Sequence, residues 1–189
     1  MEELIGYLLQ FGQLNQQQIE LVISKGEEKT LSKGVYFSEA GKIANHIGFV
    51  VEGVLMICYY NKKGEEIVHH FVDESHFVVD LESFNHKIAS VVYIQAVTDC
   101  KLITFSYENF KKLSETIIVW DEIIHKITIK TLLDKVNVIQ PKLNTDAKNR
   151  YMDFLKNYPR LANRIPLTYI ASYLGITATS LSRIRKNIS

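Results

Sequence analysis

The order of apolar and polar positions divides the chain into a helical start, a strand-rich middle and a helical end. Residues 1–25 read as helical. Asn15 is placed to cap a helix with Gln18 three residues on, and Leu14 and Ile19 flank that cap where an apolar staple belongs. Gly26 is a natural stop. From about Glu28 to Phe105 the pattern changes to short runs rich in β-branched and aromatic residues: Val35–Phe37, Ile47–Glu52, Val54–Tyr60, Glu66–Val72, Val91–Val97 and Lys101–Phe105. Gly34, Gly41, Gly53 and the Asn61-Lys62-Lys63-Gly64 stretch punctuate them. Closely spaced strands joined by tight turns predict a sandwich, jelly roll or barrel. Asp80–Phe84 reads as one helical turn among them.

Helical spacing then returns. Ser106 caps a short helix, with Phe105 and Phe110 as a second staple. A longer helix is expected over Ile117–Ile139, about 34 Å at the usual rise per residue. Ile117, Trp120, Ile124 and Ile127 form one stripe along it, and Ile129, Leu132, Val136 and Ile139 form another, shifted round the helix. Two stripes predict two surfaces to cover: the β-domain, and a second helix. If that second helix belongs to another copy of the chain, the result is a two-fold dimer. The alternative is that both stripes pack within one chain. Pro141 ends or kinks the helix, which places a hinge at Pro141–Thr145.

A further helix is built on Ala147, Tyr151, Phe154, Leu155 and Tyr158, and after it comes RIPLTYIASYLGITATSLSRIRKNIS. This segment reads as two short helices around a tight turn. Pro166 suits a first helical position. Ile170 and Leu174 face inward, and Ala171 is small enough for a second helix to cross close by. Gly175 takes the left-handed backbone conformation of the turn without penalty, Ile176 plugs the corner and Thr177 caps the second helix. Leu181 and Ile184 return to the core. Small residue, glycine and apolar positions fall at the spacing of a helix-turn-helix. In such a motif the polar face of the second helix enters the major groove of DNA. Here that face carries Thr177, Ala178, Thr179, Ser180, Ser182, Arg183 and Lys186, with Arg185 beside it. Arg183 is placed for a bidentate base contact, typically to guanine. Thr177 and Ser180 could hold phosphate, and Arg185 and Lys186 could clamp the backbone.

Charge strengthens this reading. The formal net charge is only +1, but residues 142–189 hold nine basic and two acidic groups, whereas residues 1–141 hold 13 basic and 19 acidic groups. All the arginines lie at or after Arg150. A basic unit joined to an acidic one is expected if only one end meets a polyanion. At 189 residues, 47% hydrophobic and 23% charged, the chain fits one medium domain plus one small one. The start MEELIGYLLQ lacks the features of a signal peptide, and no apolar stretch approaches the roughly 18 residues of a membrane span. A cytoplasmic protein with no membrane partner is expected. Cys58 and Cys100 stand apart from each other and from any metal-ligand spacing, as buried thiols do.

The chain resembles the Crp/Fnr family of transcription regulators. IASYLGITATSLSRIRK is similar to that family's DNA-reading signature, and FVVEGVLMICYYNKKGEEI is similar to the hairpin around its jelly-roll glycine. The resemblance implies an α+β chain in three parts: a cyclic-nucleotide-binding-like jelly-roll sensor over residues 1–116, a dimerisation helix over 117–140, and a helix-turn-helix domain over 141–189. It implies a homodimer that binds double-stranded DNA, works with RNA polymerase and answers to an effector held in the roll near Asp80, Leu81, Ser90 and Val91. Trp120, Ile124, Ile127, Leu132, Val136 and Ile139 are the expected dimer-helix positions. Three departures matter. Members that bind cyclic AMP hold its phosphate with a Gly-Glu-Leu turn and an arginine; this chain has Val79-Asp80-Leu81, with Ser90 near the arginine's place. A lysine such as Lys87 could supply a point charge but not a bidentate fork. The recognition helix starts with Ala178 and Thr179 where relatives often carry arginine and glutamate, so a different operator is expected. The sequence also ends at Ser189, shortly past that helix.

No cofactor, catalytic residue or metal ligand stands out, and an enzyme is not expected. Two other readings stay open. One is a sensor that acts through a partner protein with weakened DNA binding. The other is a cupin-like metalloenzyme built on His46, His69, His70, His76 and His86. Against the second, adjacent His69 and His70 point to opposite faces of a strand, and the paired-histidine spacing of a cupin site is missing.

Overall fold

The computed structural model describes residues 1–139 and 145–188, with side chains on the long helix through residue 136. Two helices come first, α1 (Glu2–Leu8) and α2 (Gln16–Lys25), rather than one continuous stretch. The Asn15 side chain and Gln18 form the reciprocal capping box that starts α2.

The middle of the chain is a jelly roll of two four-stranded antiparallel sheets. Its strands are β1 (Glu27–Leu31), β2 (Tyr36–Ser38), β3 (His46–Glu52), β4 (Leu55–Tyr60), β5 (Glu66–Val72), β6 (Phe77–Val78), β7 (Tyr93–Ala96) and β8 (Cys100–Ser106). One sheet has the order β1-β8-β3-β6 and the other β2-β7-β4-β5. Strands β1 and β6 were not separately visible in the sequence pattern. Strand β1 reads EEKTL, exposed except for Leu31, and β6 is two residues long, so neither carries an alternating apolar signal. Between β6 and β7 lies α3 (Leu81–His86), capped by Asp80 and ending at Lys87, which takes a left-handed conformation.

Alternation along the strands assigns each apolar residue to a layer. Inside the roll lie Leu31, Val50, Leu55, Val72, Val78, Ile94, Ala96, Cys100 and Leu102. On the outer face of the first sheet, Ile47, Phe49, Ile103 and Phe105 pack against Leu4, Leu8, Val22, Leu113, Ile117, Trp120, Ile123 and Ile127. Those partners come from α1, α2, α4 (Tyr107–Thr116), α5 (Trp120–Ile139) and the turn between the last two. Ser106 caps α4, and the Phe105 and Phe110 rings meet at 6.4 Å between centroids, as a staple requires. The long helix begins at Trp120 rather than Ile117. Ile117 closes α4 in an extended conformation and drops into the core, so the chain turns before α5 starts.

On the outer face of the second sheet, Val54, Met56, Cys58, Val68, Phe71 and Val97 share a core with the C-terminal helices α6 (Ala147–Asn157), α7 (Leu167–Leu174) and α8 (Ala178–Lys186). The described residues therefore stack as helices, sheet, roll interior, sheet and helices.

Gly53 turns the chain between β3 and β4 at φ +105°, and a Cβ there would sit 2.5 Å from the Asp99 carbonyl oxygen and 2.6 Å from Cys100 Sγ. Backbone strain and overlap act together. Gly53→Ala is expected to lower unfolding stability by about 1–3 kcal/mol, read from urea unfolding, and an unchanged midpoint would contradict this packing.

Candidate functional site

The helix-turn-helix is built as its spacing requires. Gly175 ends α7 at φ +66°, and the amides of Gly175 and Ile176 donate to the carbonyls of Ser172 and Ala171, both at 3.0 Å. This pair of bonds is the Schellman arrangement that lets a helix stop and turn sharply. Ile170, Ala171, Leu174 and Leu181 are buried between the two helices and α6, with Ile176 and Ile184 packed against them. Pro166 caps α7 and Leu167 opens it, one position later than the sequence spacing implied.

Thr177 caps α8: its Oγ1 accepts from the Ser180 amide at 3.1 Å and lies 2.9 Å from the Ser180 hydroxyl. The two hydroxyls thus serve each other at the start of the helix. Thr179, Ser180, Arg183, Arg185 and Lys186 are exposed, and Ala178 and Ser182 are half-buried at the edge of the same face. Arg183, Arg185 and Lys186 also lie in the last turn of α8, where cations suit the helix dipole. These positions lie around the stripe of Leu181 and Ile184, which turns into the core.

The expected dimer positions separate into two groups. Trp120 and Ile127 are buried in the chain's own core, and Ile124 packs against it, so this stripe serves the jelly roll. This corrects their assignment as partner-facing residues: the outer face of the first sheet needs a cover, and the start of α5 provides it. Ile129, Leu132, Leu133 and Val136 are exposed, Leu132 to 56%. Phe11, Ile129 and Leu133 line an open groove along this face. The side chain of Ile139, and residues 141–144 of the hinge expected over Pro141–Thr145, lie outside the described residues.

The expected effector residues are brought together only in part. Asp80 Oδ1 accepts from the Ser83 amide at 3.2 Å, and the Ser90 hydroxyl donates to Asp80 Oδ2 at 2.7 Å. Ser83 in turn bridges two neighbouring segments, donating to the Ile88 carbonyl and accepting from the Ala44 amide. The Asp80 carboxylate is thus tied into the turn before α3. Leu81 and Val91 instead face outward, at 50% and 77% exposure. Lys87 lies with Nζ 3.3 Å from the centroid of the Tyr107 ring and 5.2 Å from that of Phe84. Its charge is engaged by aromatic faces.

The histidines are dispersed. His69 is exposed while Val68 beside it is buried, and the His70 ring faces Tyr158 at 6.5 Å between centroids. Among the described residues no group of three His, Cys, Asp or Glu is placed to hold a metal, and no helix is long and apolar enough to cross a membrane. Cys58 and Cys100 are buried free thiols. Burial, with Glu66 nearby, pushes Cys58 up to about 12, and burial raises Cys100 as well. Neither has the thiolate character of a reactive cysteine.

Three residues that tie the C-terminal segment to the roll escaped the sequence pattern. Ser172 on α7 donates to the Glu66 carbonyl and accepts from the Val68 amide, both at 3.0 Å. Arg164, before α7, donates from Nη1 to Glu74 Oε2 at 2.9 Å and from Nη2 to Glu74 Oε1. One of the arginines that made the C-terminal region look basic is thereby committed within the chain.

Residues 28–116 match the family model of the cyclic nucleotide-binding domain. No curated protein matches the sequence significantly. Among solved structures, the c-di-GMP-responsive global regulator CLP of Xanthomonas campestris is 18% identical with a TM-score of 0.73, over 92% of this chain and 91% of that one. FixK2 of Bradyrhizobium japonicum is 15% identical with a TM-score of 0.74, over 86% and 84%. A protein of Eubacterium rectale assigned to the Crp/Fnr transcriptional regulators is 17% identical with a TM-score of 0.71, over 92% and 83%. Residues 28–116 are thus similar to a cyclic nucleotide-binding domain, and from α1 to α8 the chain has the fold of the Crp/Fnr transcriptional regulators.

Proposed function

We propose that this chain is a homodimeric, sequence-specific DNA-binding transcription regulator of the cytoplasm. The observation that carries the proposal is the exposed polar face of α8, presented across the left-handed turn at Gly175. Arg183 contacts a base edge, while Arg185, Lys186 and the hydroxyl cluster at the start of the helix contact backbone. Leu132, Leu133 and Val136 on α5 pack against the same helix of a second copy. An apolar stripe this exposed on a long helix needs a cover, and a two-fold axis along it presents two reading helices to half-sites about 34 Å apart. RNA polymerase is the partner such a regulator addresses.

Control comes from the jelly roll, through an effector other than a cyclic nucleotide. A cyclic phosphate arriving at the turn before α3 meets the carboxylate of Asp80 rather than a cation. The jelly roll contains no arginine, and Lys87 is held over Tyr107. Effector binding biases the packing of α5 and, through it, the relative aim of the two reading helices.

Two outcomes test this account. Against a palindromic duplex selected from a random pool, Arg183→Ala is expected to weaken specific binding by about 1–3 kcal/mol, in a titration whose affinity falls steeply with salt. Unchanged affinity removes Arg183 from the reading role, and a flat salt slope favours a sensor that works through a protein partner. Calorimetry with cyclic AMP is expected to show no binding at micromolar concentrations; saturable micromolar binding would contradict the role given to Asp80.

A further inference from the structure

The reading helices do not hang free of the sensor. Strand β5 is the outer strand of its sheet, so one side of its backbone lacks a neighbouring strand. Ser172 fills part of that side, because one hydroxyl gives its proton to the Glu66 carbonyl and takes one from the Val68 amide. Farther along, Phe71 meets Tyr173 at 5.4 Å between ring centroids. Past the end of the strand, Glu74 meets Arg164. Helix α7 is held at two places along β5, and the segment before it is held once more just past the strand's end, by three kinds of contact.

The Glu74 contact is prepared from the sensor side. The turn after β5 holds Ser75 at φ +63°, with its amide donating to the Val50 carbonyl at 2.9 Å. The Gly53 amide donates to Glu74 Oε1 at 2.8 Å. The carboxylate is thus aimed by its own domain before Arg164 arrives. The guanidinium then pairs both nitrogens with both oxygens, a geometry that fixes direction as well as distance. The Arg164 hydrogen bonds hold the Glu74 carboxyl down at about 2, so the pair stays charged at neutral pH.

In this docked arrangement the polar face of α8 stays exposed, so docking leaves the reading surface available. We propose that Glu74, Arg164 and Ser172 are positioning residues for DNA binding: they set the angle at which α8 leaves the sensor, and so the register between the two reading helices of a dimer. This rests on the DNA-binding reading above and adds the residues that aim it. Two reading helices reach both half-sites only if both are aimed correctly. A single helix on unselected DNA, held by phosphate contacts, tolerates a loose aim.

The test uses the full chain, a palindromic duplex selected with the wild-type protein and an unselected duplex of equal length. Glu74→Gln and Arg164→Lys, the second of which keeps the charge but loses the fork, are each expected to weaken binding to the selected duplex by about five- to tenfold. Binding to the unselected duplex and the salt slope should stay unchanged, because neither residue touches phosphate. Equal weakening on both duplexes would reduce the pair to a structural role and overturn the inference. Unchanged or tighter binding by the single variants would also overturn it, the latter by making the seam inhibitory. Failure of the wild-type chain to bind any duplex would overturn the DNA-binding reading itself, and this inference with it.

Discussion

The second sheet of the roll is apolar on both faces, and the rest of the molecule is arranged around that constraint. Along β4, Leu55 and Ile57 point into the roll while Met56 and Cys58 point out of it, and all but Ile57 are fully buried. A sheet with two apolar faces must be covered twice. The first sheet covers one face. The other is covered by the helix-turn-helix domain, through Phe154, Leu161, Ile170, Tyr173 and Leu174. Each fully buried aromatic or aliphatic side chain contributes about 1.5–3 kcal/mol relative to exposure, so the C-terminal helices are seated on the sheet by apolar burial. The basic unit and the acidic unit therefore share one hydrophobic interior rather than joining only through the segment around Pro141.

That shared interior explains what the sequence could and could not convey. The helix-turn-helix was legible because its determinants are local: Ala171, Gly175, Ile176 and Thr177 have roles set by neighbours within a turn or two. The roll was legible as strands and turns for the same reason. The doubled cover was written in the unbroken apolar run VLMICYY, which a strand buried on both faces produces, but a run of that kind does not say what lies on either side. Glu74, Arg164 and Ser172 gave no signal, because each acts only across about a hundred residues or less of intervening chain brought together by folding. Arg164 carried a misleading one, counted with the polyanion-facing charges while paired internally. The start of α5 was misplaced by three residues because Ile117 fits the helical stripe yet enters the core from the turn before it.

The proposed departure from cyclic-nucleotide binding is local in origin. Asp80 caps α3 and takes the Ser90 hydroxyl, so the turn that precedes α3 already contains a bound anion, supplied by the chain. Lys87, the nearest candidate to replace a missing arginine, is spent on Tyr107 and Phe84. The chain keeps the roll and the long helix, while the turn before α3 is closed by its own side chains.

The roll and the C-terminal helices form one packed body through β5 and α7. Hydrogen exchange of the native full-length chain, followed for the backbone amides of β5 and α7, tests it most directly. The account predicts that the Val68 amide and the interior amides of α7 open together, with a common free energy close to that of global unfolding. Exchange of α7 through a much cheaper opening, while β5 and the roll stay protected, would show the reader to be an independent unit and would contradict the account.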